Sequence, residues 1–370
     1  MKTIALIARV IVIFLIALFV LRFVASAQQP MPQPDMNIDA ATRTAVIENL
    51  IKELNASYIF AETAKKMEID LRGRIKNKEY DSVTSAKALS EKLTADLQSI
   101  SKDKHLRVRY SAQPIPVRKE KGEPTAEEKA SYLWFAKRRN YGFNKIERMD
   151  GNIGYIDLTN FFDPRGGGEE TVAAAIGFVA NTDAVIFDMR QNGGGTPVMI
   201  ALISSYLFGD KPVHLNDMYF RVGNRTEEFW TKPALANKKI GDKDIYVLTS
   251  NYTFSGAEEF ANNLKVLKRA TIIGETTGGG ANPGGQVRLS EHFNVFIPDG
   301  RAVNPVTKTN WEGTGVEPDI RVPKEQALKT AYLMALTKSA GTIKDENIKE
   351  GLKQLIERTQ KELDDLKVKK

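Results

Sequence analysis

Cysteine is absent from all 370 residues. The chain therefore holds itself together by core burial, without disulfides or a thiolate metal site. Histidine is scarce, with only His105, His214 and His292 available as imidazole bases. Phosphate-loop signatures are missing as well. No Gly-Lys-Ser/Thr follows the glycine runs, and no G-x-G-x-x-G opens a first βαβ unit, so nucleotides are discounted. Excess charge is small. The formal +7 includes Lys2, Arg9 and Arg22 in an acid-free leader, and the remainder is a mildly basic solvated chain with nothing that argues for nucleic acid.

What is present begins with that leader. Lys2 and Arg9 precede the apolar run Val10 to Leu21, and Ala25-Ser26-Ala27 supplies the small residues a signal peptidase reads. Arg22 interrupts the run, which makes it a poor spanning helix. Residues 1–27 are thus expected to be a signal peptide of an exported, periplasmic or extracellular protein, with an uncleaved N-terminal membrane anchor as the alternative. No stable membrane span is expected after cleavage. Residues 28–39 are rich in proline and glutamine and read as a flexible lead-in.

Residues 40–112 read as an N-terminal helical domain, because Val46, Leu50, Leu54, Leu89, Leu93 and Leu97 recur at helical spacing. Residues 113–145 are polar and proline-punctuated, and read as a connector. Over 146–325, apolar strand patterns such as GNIGYIDL, DAVIFDM, IYVLTS and ATIIGET alternate with helix patterns. Continuous apolar strands joined by helices imply a sheet buried on both faces, hence an α/β core. Residues 326–370 read as a helical tail that packs or self-associates, so a homo-oligomer is one expectation.

Ser255 stands where the strand pattern IYVLTS gives way to the helix pattern SGAEEFANNLKVL. A hydroxyl there sits beside free helix N–H groups, which favour the negative charge of an attacked carbonyl oxygen. Ser255-Gly256-Ala257-Glu258 also fits the capping box S-x-x-E, which by itself explains the same residues. His105 lies in a loop that turns into the strand-like LRVRY, whereas His214 and His292 read as surface residues. Gly193, Gly194 and Gly195 would let backbone N–H groups approach an oxyanion closely, or would simply form a tight turn. Spacing alone does not choose among Glu312, Glu317 and Asp319.

The ordered segments DKHLRVRY, DMRQNGGG, TSNYTFSGAEEFA, ATIIGETTGGGANPGG and NWEGTGVEPD resemble the S41 family of serine peptidases over about residues 40–325. The likeness is to the branch of interphotoreceptor retinoid-binding protein and the tricorn core. It implies a crotonase/ClpP-like ββα core with an N-terminal helical bundle domain and a helical C-terminal tail. It also implies Ser255 as nucleophile, His105 as base and Glu312 as its partner, with Gly193, Gly194 and Gly256 around the oxyanion. No metal or organic cofactor is implied. The processing-protease branch uses a lysine base, which would fall at Gly280, and no lysine occurs between Lys268 and Lys308. The tricorn branch has a serine immediately before the histidine, where this chain has Lys104. A water, Ser101 or direct contact would then link His105 to Glu312. Residues 113–145 are too short and too charged for the PDZ domain of processing proteases. The expected activity is hydrolysis of a peptide or protein substrate through an acyl-enzyme. The alternative is a non-catalytic binder of retinoid or fatty acid on the same fold.

Overall fold

The leucine spacing of the first hundred residues becomes three helices in the computed structural model, which describes residues 33–117, 125–233 and 239–368. The expected signal peptide, the start of the lead-in and part of the connector lie outside the described residues. Helix α1 (Ala40–Ser57) starts at Asp39, whose side chain accepts from Thr42 N–H. Helix α2 (Ala61–Lys76) follows, then α3 (Ala86–Ser101), where the Ser85 side chain accepts from Ala88 N–H. Such caps satisfy orphan N–H groups and contribute about 1 kcal/mol each. Lys102 ends α3 in the left-handed region, which turns the chain sharply into Asp103 and His105.

These helices do not bury their leucines among themselves alone. Strand β1 (Arg107–Tyr110) pairs antiparallel with a strand far along the chain, β10 (Phe293–Pro298), which pairs with β9 (Gly284–Arg288). Val108, Val295 and Phe293 point from this three-stranded sheet into the cluster formed by Leu50, Leu54, Leu89, Leu93 and Leu97. The helical region is therefore clamped to the C-terminal half of the core.

The main sheet has six strands in the order β12-β8-β7-β4-β3-β2. They are β2 (Phe143–Met149), β3 (Ile153–Leu158), β4 (Ala184–Asp188), β7 (Asp244–Thr249), β8 (Thr271–Gly274) and β12 (Ile320–Arg321). All adjacent pairs are parallel except β2 with β3. Parallel strands need crossovers, here supplied by helices α5 (Gly168–Val179), α6 (Pro197–Leu207) and α7 (Gly256–Val266), with α4 (Ala126–Arg138) preceding β2. Alternation sends Val185, Phe187 and Val247 toward α5, α6 and α7. Ala184, Ile186 and Leu248 face the opposite way.

Helix α8 (Lys324–Thr342) covers that second face with Ala327, Ala331, Tyr332 and Leu336, and α9 (Glu346–Val368) packs on α8. The helical stretch at the C-terminal end is thus part of the core's second layer. A separate antiparallel sheet joins β11 (Gly300–Val303), β5 (His214–Phe220) and β6 (Arg225–Trp230). No described helix is long and apolar enough to cross a membrane.

Candidate active site

Strand β7 ends at Thr249, and a tight loop carries the chain to Ser255 at the start of α7. The loop is pinned against the chain that leaves the neighbouring central strand β4. Ser250 Oγ donates to the Arg190 carbonyl at 2.7 Å and Thr253 Oγ1 to the Met189 carbonyl at 2.9 Å. These bonds hold Ser255 at φ 54°, ψ −121°, a strained conformation for a residue with a Cβ. Strain of this kind costs on the order of 1–3 kcal/mol and survives only where surrounding bonds impose it. The cap here runs backward from the helix. Glu258 Oε2 accepts from Ser255 N–H at 2.8 Å, while the Ser255 hydroxyl makes no cap hydrogen bond and stays partly exposed.

The glycine run meets this loop directly. A Cβ on Gly194 would lie 2.7 Å from Gly256 N and 2.8 Å from Ser255 Cβ, so only glycine fits. Gly194 was expected among the oxyanion donors, but its N–H donates to Asn192 Oδ1 at 2.8 Å. Its part is close approach instead. The N–H groups of Gly193 and Gly256 carry no hydrogen bond among the described residues. Asn192 braces both loops, because its Nδ2 donates to the Leu158 carbonyl and its own carbonyl accepts from Phe254 N–H.

His105 lies against the residue that precedes the serine. Its ring is 4.5 Å from that of Phe254 and 5.7 Å from that of Phe296, centroid to centroid. Behind it, side-chain atoms of Asp103, His105 and Glu312 all come within 4.8 Å of one another. His105 Nδ1 and Glu312 Oε1 are both buried without a hydrogen-bond partner. Burial lowers the His105 pKa, and so does Arg107, while Asp103 opposes them. Burial raises the Glu312 carboxyl to about 7, helped by the nearby Asp103 charge and opposed by the Ala281 N–H, which donates at 2.6 Å. Burial beside the Asp103 charge thus disfavours the ionised form of Glu312.

Asp103 was not singled out by the sequence. It is 1% exposed, accepts from Asn282 Nδ2 at 2.9 Å and from Tyr58 Oη at 3.3 Å, and lies 3.9 Å from His105 Nδ1. Ser101 Oγ accepts from Asp103 N–H, so it supports that acid. Lys104, where a relaying serine was sought, turns outward to the Gly278 carbonyl. The one available signal for Asp103 was its place two residues before His105.

Glu258 was visible only as a cap. Its buried carboxylate also accepts from Thr277 Oγ1 at 2.5 Å, Gly279 N–H at 2.6 Å and Gly280 N–H at 2.8 Å. It ties Ser255 to the second glycine run. Residues 310–316 close the other side, with Trp311 Nε1 donating to the Gly280 carbonyl and Gly313 N–H to the Gly279 carbonyl. His214 and His292 stand apart. His214 stacks on Trp230 and pairs with Asp217, and His292 Nδ1 lies 2.9 Å from the Ser111 carbonyl. Glu317 and Asp319 are both exposed and pair with Arg321 and Lys265.

Residues 152–322 match the model of peptidase family S41, and residues 40–133 match the N-terminal domain of that family in eukaryotic IRBP. The chain belongs to peptidase family S41. Among curated proteins, this S41 chain is 29% identical over 158 residues to the tail-specific protease of Haemophilus influenzae, covering 42% of this chain and 21% of that one. It is 26% identical over 188 residues to the carboxy-terminal-processing protease of Bartonella bacilliformis, covering 50% and 42%. The chain thus spans less than half the length of these relatives. A solved putative peptidase from Parabacteroides merdae superposes with a TM-score of 0.57 at 20% identity, over 81% of this S41 chain and 99% of that one. That likeness is one of fold.

Proposed function

We propose that this S41 chain is a serine peptidase with Ser255 as nucleophile and His105 as base. The observation that carries the reading is the meeting of three things at one helix start. They are a strained, uncapped Ser255, two unpaired N–H groups at Gly193 and Gly256, and His105 backed by Asp103 and Glu312. As Ser255 Oγ attacks a peptide carbonyl, its proton passes to His105, whose neutral form burial favours. The carbonyl oxygen becomes an anion beside Gly193 and Gly256 N–H. One such donor contributes ~3–4 kcal/mol in other acyl-transfer enzymes. The C–N bond then breaks, and His105 returns the proton to the leaving amine. Water completes the cycle by the reverse proton path, attacking the acyl-serine with His105 again as base.

Glu312 and Asp103 orient the imidazole and stabilise its cation. Direct contact with Glu312 is the link we favour, because His105 Nδ1 and Glu312 Oε1 are both buried without a hydrogen-bond partner among the described residues and lie in one cluster with Asp103. Gly280 supports a histidine over a lysine. A Cβ there would lie 2.3 Å from Phe254 Cζ and 2.7 Å from His105 Cε1, so the place of a lysine base is filled.

Labelling with a fluorophosphonate probe tests the reading: Ser255 is expected to label, and His105→Ala to label at least 100-fold more slowly. A folded protein whose Ser255 never labels is evidence against it. Export follows from the leader at residues 1–27, and sequencing the N-terminus of the secreted protein, expected at Gln28, checks it. The carrier reading has less support. A cavity of about 710 Å³ beside β9 mixes apolar Ile115, Val117, Val287 and Ile297 with charged Glu53, Glu128, Arg288 and Asp299, so its lining does not single out an apolar ligand.

A further inference from the structure

The β1-β10-β9 sheet has one face in the core beneath the helices and one face in solvent. Register fixes which residues share the outer face. Arg107 pairs with Phe296, and Phe296 with Gln286; one row further, Arg109 pairs with Asn294, and Asn294 with Arg288. Between these rows, Val108, Val295 and Val287 turn inward. Arg107, Arg109, Gln286 and Arg288 are all exposed. The outer face continues the active site, because the His105 ring stacks on Phe296, the partner of Arg107.

The charged side chains that the strands themselves place on this face are all basic, although Glu53, Glu128 and Asp299 line the cavity beside Arg288. None of the guanidinium groups of Arg107, Arg109 and Arg288 forms an ion pair among the described residues, and their cross-strand neighbours are Phe296 and Asn294. Arg107 and Arg288 spend only Nε on backbone carbonyls, of Lys104 and Ile115, which leaves their terminal nitrogens free. Arg109 makes no side-chain hydrogen bond among the described residues. Asn294, half-buried between Arg109 and Arg288, brings no charge of its own to the row. The free guanidinium forks suit carboxylates in a bidentate manner.

We propose that this face binds an acidic segment of the substrate in extended form, so that the enzyme selects peptides with Asp or Glu at alternate positions to one side of the cleaved bond. Arg107 and Arg109 are two residues apart on one strand face, about 7 Å, which is also the spacing of alternate side chains in an extended peptide. Why a peptide should lie here rests on the peptidase reading; the carboxylate preference is a separate matter of charge. Attraction of this kind weakens as salt screens it.

The test uses the Ser255→Ala protein, which cannot turn over, and a fluorescein-labelled peptide amide with Glu at alternate positions, beside its Gln counterpart. Anisotropy at low salt is expected to show the Glu peptide bound at least 5-fold more tightly. Adding Arg109→Gln and Arg288→Gln brings the ratio close to one, while the distant Arg321→Gln leaves it unchanged. A ratio near one in the Ser255→Ala protein, or a ratio that survives loss of both arginines, overturns the proposal. So does a preference seen only when the peptide carries a free C-terminal carboxylate, since the terminus is then what is recognised. Failure of wild-type Ser255 to label counts against the peptidase reading alone and leaves this ratio readable.

Discussion

Gly280 and His105 are in closest approach: a Cβ added to the glycine would stand 2.7 Å from the imidazole Cε1 and 2.3 Å from Phe254 Cζ. The imidazole and the phenylalanine ring fill the space that a side chain at this position would need. Gly280 also donates its N–H to Glu258 and its carbonyl accepts from Trp311. The same residue thus gives way to His105 and links Ser255's helix to the 310–316 loop.

Gly280→Ala is expected to push the Phe254 ring or His105 out of place. Overpacking of this kind costs typically 1–3 kcal/mol. Urea unfolding should show that loss, and Ser255 labelling should slow by more than tenfold. Unchanged labelling with normal stability would mean that the loop yields freely and does not position His105.

Glu258→Gln replaces an acceptor of four hydrogen bonds with a group that must present an NH₂ to donors. Burial raises the Glu258 pKa, opposed by the bonds from Thr277, Gly280, Gly279 and Ser255. A buried donor facing donors costs roughly 1–3 kcal/mol or more. We expect a lower urea midpoint together with slower labelling, because the Ser255 conformation depends on the same carboxylate. Full stability in the Gln variant would contradict the assigned bonds.

Glu312 sets the pH dependence. A free glutamate ionises near its usual 4.5, but Glu312 in the fold holds its proton to about 7. Between those values the folded state binds more protons than the unfolded one, so this group makes stability fall as pH rises, with no further change above about 7. Activity runs the other way. Ionised Glu312 and neutral His105 are both needed, so kcat/KM on a neutral peptide should climb with pH and level off above about 7. In Glu312→Gln the stability slope attributable to this group disappears and kcat/KM falls at least tenfold. A wild-type profile already flat from pH 5 would exclude Glu312 as a titrating partner.

Asp103→Asn isolates the acid that the sequence hid. Asp103 raises the His105 pKa against burial, so its removal should lower the His105 titration midpoint, read by NMR of the ring protons. Turnover should drop with some loss of stability, because the asparagine oxygen can accept from Asn282 and Tyr58 but its NH₂ then faces the His105 N–H that Asp103 Oδ1 accepts. A midpoint that stays in place would show that Asp103 supports the loop only.

Much of this arrangement was legible in linear order. Strands β3, β4, β7 and β8 are apolar runs with little alternation because helices cover both faces, and such runs are visible without a structure. The Ser255 junction and both glycine runs were equally visible, since backbone turns of this kind demand particular residues. What linear order could not assign was the partner of each group. Gly194 looked like a donor until its N–H was found on Asn192, and Glu258 looked like an ordinary cap.

The sequence by itself determined the absence of disulfides, the order of helical region and α/β core, and the short list of groups able to act as nucleophile and base. Those properties follow from residue type and local periodicity. Only the tertiary structure decided that α8 closes the sheet, that Asp103 joins His105 and Glu312, and that Arg107, Arg109 and Arg288 share one face. Each of these is a contact between segments far apart in the chain, or a choice of face made by strand register. Burial and pairing across such separations set them, and no local pattern encodes them.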